Sequence, residues 1–237
     1  MVFQVVFSGD LGNMILALII LMSFIPGENE EIEDNDYILE ITIEKDFDLF
    51  LAQYLDKDQT SLVVQIISFY TKLAYYGNPT IKRFIESGIV SASILNFQRN
   101  CEVLSREIFN FLKVLTISAD DVFEPLVNVI FSFDFADIAE VTPFFIREKI
   151  VKFVLHMASI SGPFFTKMIL SPKMIDFLIQ FSECCDSSKQ EKIILCLSNI
   201  LRGSGDPEFV QMVVLKWDES VSLTCICPDL LNPEIVL

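Results

Sequence analysis

The chain has 237 residues, of which 52% are hydrophobic and only 8 are Gly and 9 are Pro, a composition that excludes an intrinsically disordered protein. Its formal net charge of −16 argues against generic nucleic-acid binding, because Lys and Arg supply most of the affinity for phosphate. The acidity is concentrated in residues 1–60, which hold 13 acidic and 2 basic side chains.

The first predicted element is an apolar run, "MILALIILMSFI", at residues 14–25. Its 12 residues fall well short of the roughly 20 that a membrane-spanning helix needs, so we interpret the run as a buried core helix. The residues before it contain an Asp and no Lys or Arg, which argues against a secretory signal. We therefore expect no membrane association and an intracellular location, in the cytoplasm, the nucleus or both.

An acidic insertion, "ENEEIEDND", follows at residues 28–36, and we interpret it as a solvated loop rather than a ligand-binding element. Behind it, "YILEITIEKDFDLFLAQYL" predicts two further helices, so residues 1–60 form a diverged, acidic first unit. The opening residues "MVFQVVF" are apolar, whereas the end of a repeat array needs a polar outer face. Either this first unit associates with another copy of the chain, or the chain is part of a longer array.

From residue 61 onwards, one segment recurs at offsets of 42, 42 and 43 residues. Each copy carries apolar residues at positions i, i+3, i+4 and i+7, which in the first copy are Ile66, Phe69, Tyr70 and Leu73. This spacing predicts a long amphipathic helix in every copy. The successive repeats are predicted at residues 61–104, 105–146, 147–189 and 190–237.

Gly or Asn and then Pro follow three of these long helices, at residues 77–79, 162–163 and 205–207. This order is typical of a helix stop followed by Pro in the first turn of the next helix. Short helices are therefore predicted behind Pro79 and Pro207, and Gly88 is predicted to turn the chain sharply into a medium-length helix. Helices this short are marginal alone in water, so neighbouring repeats must stabilise them.

A period near 42 residues, built from a short, a medium and a long helix, resembles the armadillo repeat, whose period is about 40 to 47 residues. The resemblance implies an all-α fold in which residues 1–237 form a single right-handed α-solenoid of about four to five armadillo-like three-helix repeats. The related HEAT repeat is the alternative for the fold.

In the armadillo family the long third helices line a concave groove that binds extended peptides. The resemblance implies the following groove residues: Lys72, Asn110, Lys149, Lys152, His156, Lys192 and Asn199. Lysines in the last two repeats of an acidic protein favour an extended acidic or phosphorylated peptide as the ligand. The alternative is an ordinary solvated helix face, because Glu148 and Glu191 lie beside these lysines.

The resemblance thus implies a non-enzymatic protein–protein interaction scaffold. Its alternatives are an importin-alpha-like nuclear transport adaptor and a structural segment of a larger HEAT or armadillo assembly. Importin alpha uses a Trp followed four residues later by an Asn, and only Asn199 is present here, with Leu195 in the Trp position. We expect no enzymatic activity, since no catalytic motif appears and His156 is interpreted as a partly buried polar residue. The cysteine spacings do not match a zinc motif, so we expect no metal and no cofactor.

Overall fold

A computed structural model describes residues 10–25, 42, 46–161 and 163–220, and α-helices form most of these residues, without a β-strand among them. The chain divides into two compact units, residues 1–133 and residues 134–237. In the first unit the described helices are α1 (Leu11–Met22), α2 (Phe47–Ala52), α3 (Thr60–Ala74), α4 (Asn78–Glu86), α5 (Ile89–Leu95), α6 (Glu102–Ser118) and α7 (Phe123–Ile130). In the second unit they are α8 (Phe135–Glu140), α9 (Phe144–Ile160), α10 (Pro163–Ile169), α11 (Pro172–Glu183), α12 (Ser187–Ser204) and α13 (Pro207–Ser220).

The predicted order of two shorter helices and one long helix recurs along the chain. The long helices α6, α9 and α12 have 17, 17 and 18 residues, and each follows two shorter helices. The second helix is longer than the first only in the pair α10 and α11, with 7 and 12 residues. Helix α5 has only 7 residues because the chain continues as a 3-10 turn over Asn96–Arg99. The repeat boundaries themselves stay a prediction, and the division between the two units falls inside the repeat predicted at residues 105–146.

Polar contacts inside each unit reproduce the repeat period. In the first unit, the side-chain oxygen of Asn78 accepts a 3.0 Å hydrogen bond from the backbone N–H of Asp120, which is 42 residues away. In the second unit, Lys189 reaches Glu148 across 41 residues, and Lys216 reaches Asp176 across 40. Contacts one period apart are expected when each repeat packs on its sequence neighbour.

The core is formed by the apolar stripes that the sequence predicts. Ile66, Ile108 and Ile150, which occupy the same position in successive copies, are fully buried. Within the first unit, the ring of Tyr70 lies 5.3 Å from that of Phe84 and 6.2 Å from that of Phe111. Burying such rings removes a large apolar area from water, and this burial stabilises helices that are too short to form alone.

Two glycines turn the chain where the sequence predicts corners. Gly88, between α4 and α5, has φ of 75° and ψ of 10°, in the left-handed region that L-residues rarely occupy. Gly77 precedes α4 with φ of 81°, and Pro79 occupies the first turn of that helix. Helix α4 is therefore short because the local sequence starts it after Gly77 and ends it before Gly88.

The structure corrects two expectations about individual helices. Helix α1 was expected to be buried, but it buries Met14, Leu18 and Leu21 on one face and exposes Leu16 and Ile19 on the other. Because apolar side chains lie on both faces, burial of one face accounts for only part of the apolar sequence of α1.

The other correction concerns the helix behind Pro207. It was expected to be short, yet α13 runs for 14 residues. No Gly or Pro interrupts it, and Leu215 stands where the first repeat has its corner glycine, so nothing in the sequence forces an early stop.

Several predictions fall on residues outside the described ranges. These residues include the apolar start at 1–9 and the acidic insertion at 28–36. Among the residues that the structure does describe, no helix is both long and apolar enough to cross a membrane.

Candidate functional site

A pocket of about 190 Å³ opens between the long helices α9 and α12 of the second unit. Its walls come from three helices, because α11 contributes one aromatic residue. The lining residues are Glu148, Val151, Lys152, Leu155, Phe181, Lys189, Lys192 and Ile193. The pocket thus lies on the long third helices, where the sequence predicts a binding groove.

Helical spacing places these side chains together. Positions 148, 151, 152 and 155 of α9 follow the spacing i, i+3, i+4 and i+7, so they share one face of the helix. On α12, Lys189, Lys192 and Ile193 share a face in the same way. The side chain of Asp186 caps α12 by accepting a 3.0 Å hydrogen bond from the backbone N–H of Lys189. This cap fixes where α12 begins, and it therefore fixes which lysines face the pocket.

The floor of the pocket is apolar and firmly held. Val151, Leu155, Phe181 and Ile193 are buried side chains. The exposed ring of Phe144 stacks on Phe181 with 5.2 Å between ring centroids and an angle of 20° between ring planes. Phe177 adds a second ring contact to Phe181 at 5.9 Å. Rings packed in this way hold Phe181 in one orientation, so the floor exists before any ligand arrives.

The rim of the pocket is charged. Lys152 Nζ donates a 2.9 Å hydrogen bond to Glu148 Oε1, and Lys189 Nζ lies 3.5 Å from Glu148 Oε2. The hydrogen bond from Lys152, together with the charge and hydrogen bond of Lys189, lowers the pKa of Glu148 below its usual value, although partial burial opposes the shift. Lys192 makes no ion pair with any residue in the described ranges. Two of the three rim lysines therefore contact the carboxylate of Glu148, and Lys192 does not.

The predicted groove residues are only partly brought together. Lys152 and Lys192 line the pocket, whereas the half-buried Lys149 and His156 and the exposed Asn199 lie on the same two helices without lining it. The ring atom Nε2 of His156 is buried and has no hydrogen-bond partner in the described part of the chain.

Lys72 and Asn110 belong to the first unit, on α3 and α6, and they do not line this pocket. Between those two helices, Ser68 Oγ donates a 3.2 Å hydrogen bond to Glu107, which occupies the position that Lys149 holds one repeat later. The first unit thus has a carboxylate where the second unit has an ammonium group, so the basic character is specific to the second unit.

Six of the eight lining residues were not among the predicted groove residues, and two of the six, Phe181 and Glu148, show why. Phe181 lies on α11, whereas the groove was predicted from residues of the long helices alone. Glu148 was considered only as a neighbour of the lysines, although its spacing of four residues from Lys152 is a recognisable ion-pair signal.

No protein-family model matches the sequence, and no curated protein matches it. Three solved structures are similar over almost the whole chain. A designed armadillo repeat protein in complex with the peptide (KR)4 has a TM-score of 0.69 and 15% identity, and the match covers 99% of this chain and 95% of that chain. Another designed armadillo repeat protein has a TM-score of 0.67 and 13% identity, with coverage of 99% and 96%. An engineered protein has a TM-score of 0.68 and 15% identity, with coverage of 94% and 89%.

Identities this low establish similarity of fold and nothing about ligands. The TM-scores of 0.67 to 0.69 over almost the whole chain agree with the repeating helices described above. The chain therefore has an all-α, armadillo-like helical-repeat fold.

Proposed function

We propose that this chain is a non-enzymatic scaffold that binds an extended acidic or phosphorylated segment of another protein across α9 and α12. The observation that supports this most directly is the composition of the pocket rim, which carries three lysines, Lys152, Lys189 and Lys192, and one carboxylate, Glu148. A concentration of positive charge in a chain of net charge −16 attracts anionic groups selectively.

The comparisons support peptide binding in a general way. One designed armadillo repeat protein of similar fold is in complex with the peptide (KR)4, which is basic. The pocket in this chain has lysines on its rim, so the preferred charge of the ligand is expected to be the opposite.

The strength of the interaction follows from the exposure of the lysines. Lys152 and Lys192 are exposed, and each exposed ion pair contributes only about 0 to 1 kcal/mol. Several contacts must therefore act together, and added salt should weaken binding markedly because it screens exposed charges.

The test measures fluorescence anisotropy of a labelled octapeptide of alternating Glu and Ser, of its phosphoserine form and of (KR)4. We expect the two acidic peptides to bind and (KR)4 not to bind. Replacing Lys149, Lys152 and Lys192 with Glu should abolish binding of the acidic peptides, with helicity unchanged in circular dichroism.

A matched control replaces Lys57, Lys82 and Lys113, three exposed lysines of the first unit, with Glu. It changes the net charge equally and should retain most of the affinity. If both triple variants lose the same amount of affinity for the acidic peptides, only the overall charge of the protein matters, and the proposed site is wrong.

The exposed face of α1 supports a second contact surface. Leu16 and Ile19 are exposed large apolar residues on α1, which has no charged side chain, and Phe24 is exposed in the turn that follows this helix. We infer that this face pairs with the same face of a second copy, because identical apolar faces are self-complementary in a two-fold dimer.

A further inference from the structure

The floor of the pocket between α9 and α12 does not suit a charged group. Val151, Leu155, Phe181 and Ile193 offer no hydrogen-bond donor or acceptor from their side chains. A carboxylate or phosphate placed on this floor would lose its hydration without gaining partners, and such burial is unfavourable. The lysines can meet an anion only at the rim, so the floor must be filled by something else.

The size of the pocket indicates what can fill it. An apolar cavity of about 150 Å³ accommodates benzene. The volume here is about 190 Å³, which is sufficient for the side chain of a leucine or a phenylalanine. Burial of one such side chain would provide affinity that does not depend on salt.

We propose that the ligand inserts a leucine or phenylalanine side chain into this pocket and places an acidic residue two positions away on each side. This inference rests on the proposed function, since it specifies the peptide that the same surface binds. It makes the ligand an alternating acidic and apolar segment rather than a uniformly acidic one.

The spacing follows from the geometry of an extended chain that crosses the two helices. Neighbouring packed helices lie about 8 to 10 Å apart, and a strand advances about 3.3 Å per residue with alternate side chains on the same face. When one side chain of the ligand is anchored between α9 and α12, the next side chains on the same face lie about 7 Å away on either side. One of them lies over the α9 side of the pocket rim and the other over the α12 side. Lys152 lies on the α9 side of the rim and Lys192 on the α12 side.

The α9 side and the α12 side of the pocket rim are not equivalent. Glu148 already pairs with Lys152, whereas Lys192 has no ion pair within the described residues. An incoming carboxylate therefore competes with Glu148 for Lys152 of α9 and for Lys189 of α12, but not for Lys192. One of the two acidic residues in the ligand should therefore contribute more affinity than the other, and its partner should be Lys192.

The experiment uses the full chain and labelled peptides of the sequence Ser-Glu-Ser-Leu-Ser-Glu-Ser, with anisotropy as the readout. Replacing the central Leu with Ser should weaken binding about tenfold or more, which corresponds to the burial of one large apolar side chain. Replacing Leu with Phe should preserve binding. Replacing either Glu with Gln should weaken binding unequally, and the more damaging replacement should have no further effect in the Lys192→Gln protein.

The outcomes separate this inference from the proposed function. If the Leu and Ser peptides bind equally while the Glu residues still matter, the surface binds acidic peptides but the apolar anchor is wrong. If phosphoserine at the central position binds more tightly than Leu, the anchor is also wrong. If none of these acidic peptides binds, both proposals fail.

A protein variant provides an independent check on the pocket. Val151→Phe adds bulk on the floor and should weaken the Leu peptide while leaving the Ser peptide unchanged. Circular dichroism verifies that the variant folds, and the peptide series on the unmodified chain decides the question if it does not. Equal effects of Val151→Phe on both peptides would overturn the inference.

Discussion

Glu148 accepts a 2.9 Å hydrogen bond from Lys152, one turn further along α9, and Lys189 of α12 approaches the same carboxylate. The carboxylate therefore competes with any anionic ligand for two of the three rim lysines. We predict that Glu148→Gln strengthens binding of an acidic peptide about twofold to fivefold, because exposed pairs contribute about 0 to 1 kcal/mol. Titration of a labelled acidic peptide by anisotropy measures this change.

Glu191 provides the control for that prediction. It is an exposed glutamate on α12 that does not line the pocket, so Glu191→Gln alters the net charge equally. We expect Glu191→Gln to change the affinity much less than Glu148→Gln. Equal strengthening by the two variants would show that the general charge of the protein, and not the local competition, limits binding.

The ion pairs of Glu148 should also produce a defined dependence of stability on pH. Because its pKa is lowered from 4.5 in the folded protein, its pairs stabilise the fold fully above the unfolded value. This stabilisation is lost as the pH falls through the lowered pKa of the folded state. We predict that Glu148→Gln lowers Tm slightly at neutral pH, and that the difference from the unmodified chain shrinks as the pH falls below 4.5 and vanishes once Glu148 is protonated in the folded state. A Tm difference that stays constant from neutral to acidic pH would contradict this assignment.

Arg83 of α4 holds a buried carboxylate in the first unit. Its Nε donates a 2.6 Å hydrogen bond to Asp48 Oδ2 and its Nη2 donates to Asp48 Oδ1 at 2.9 Å. The hydrogen bond with Asp48, together with that to Asp46, raises the pKa of Arg83 above its ordinary value, so the guanidinium stays charged. The Asp48 side chain is 2% exposed, whereas that of Asp46 is 66% exposed.

We predict that Asp48→Asn lowers the free energy of unfolding by about 2 to 3 kcal/mol, because the charge-assisted hydrogen bonds between the buried Asp48 carboxylate and Arg83 are lost. Asp46→Asn is the matched control. It removes the same charge from the same partner at an exposed position, and should cost about 0 to 1 kcal/mol. Urea denaturation followed by circular dichroism compares the two variants. Equal costs would show that burial of Asp48 adds nothing to the pair.

Gly88 should be one of the least replaceable residues of the first unit. Nothing lies within 4 Å of a Cβ built on it, so the cost of Gly88→Ala comes from the backbone alone. A left-handed conformation costs an L-residue about 1 to 2 kcal/mol, and we predict a loss of that size in the free energy of unfolding.

Gly203 in α12 is the control, since its φ is not positive and a Cβ there also has open space. Gly203→Ala should stabilise the protein by about 0.5 to 1 kcal/mol, because Ala is favoured over Gly inside a helix. Thermal denaturation of the two variants should therefore give shifts of opposite sign, and shifts of the same sign would contradict the conformational argument.

The fold was predictable because three local signals in the sequence agree. The apolar spacing of Ile66, Phe69, Tyr70 and Leu73 specifies a helix face, and its recurrence near 42 residues specifies what packs against it. Gly88 then marks the corner. The length of α13 was not predictable in the same way, because a stop signal that is missing from a sequence sets no boundary by itself.

The candidate site was less predictable, because a pocket depends on more than one helix. Periodicity identifies which side of α9 Lys152 occupies, but it cannot indicate that Phe181 from α11 closes the floor. The spacing of four residues indicates the ion pair of Glu148 with Lys152, but it cannot indicate the contact with Lys189, since distances between helices decide such pairs.

The exposed face of α1 leads to the last prediction. Leu16, Ile19 and Phe24 are 57%, 47% and 67% exposed, and burial of these side chains against a second copy would remove apolar area from water. We predict concentration-dependent self-association of the chain in sedimentation velocity, and a monomer when Leu16 and Ile19 are both replaced with Glu. The matched control replaces Leu95 and Val103, two exposed apolar residues of the first unit, with Glu, and it should still self-associate. If the unmodified chain sediments as a monomer at tens of micromolar, or if the control variant dissociates as readily, α1 is not the surface through which copies meet.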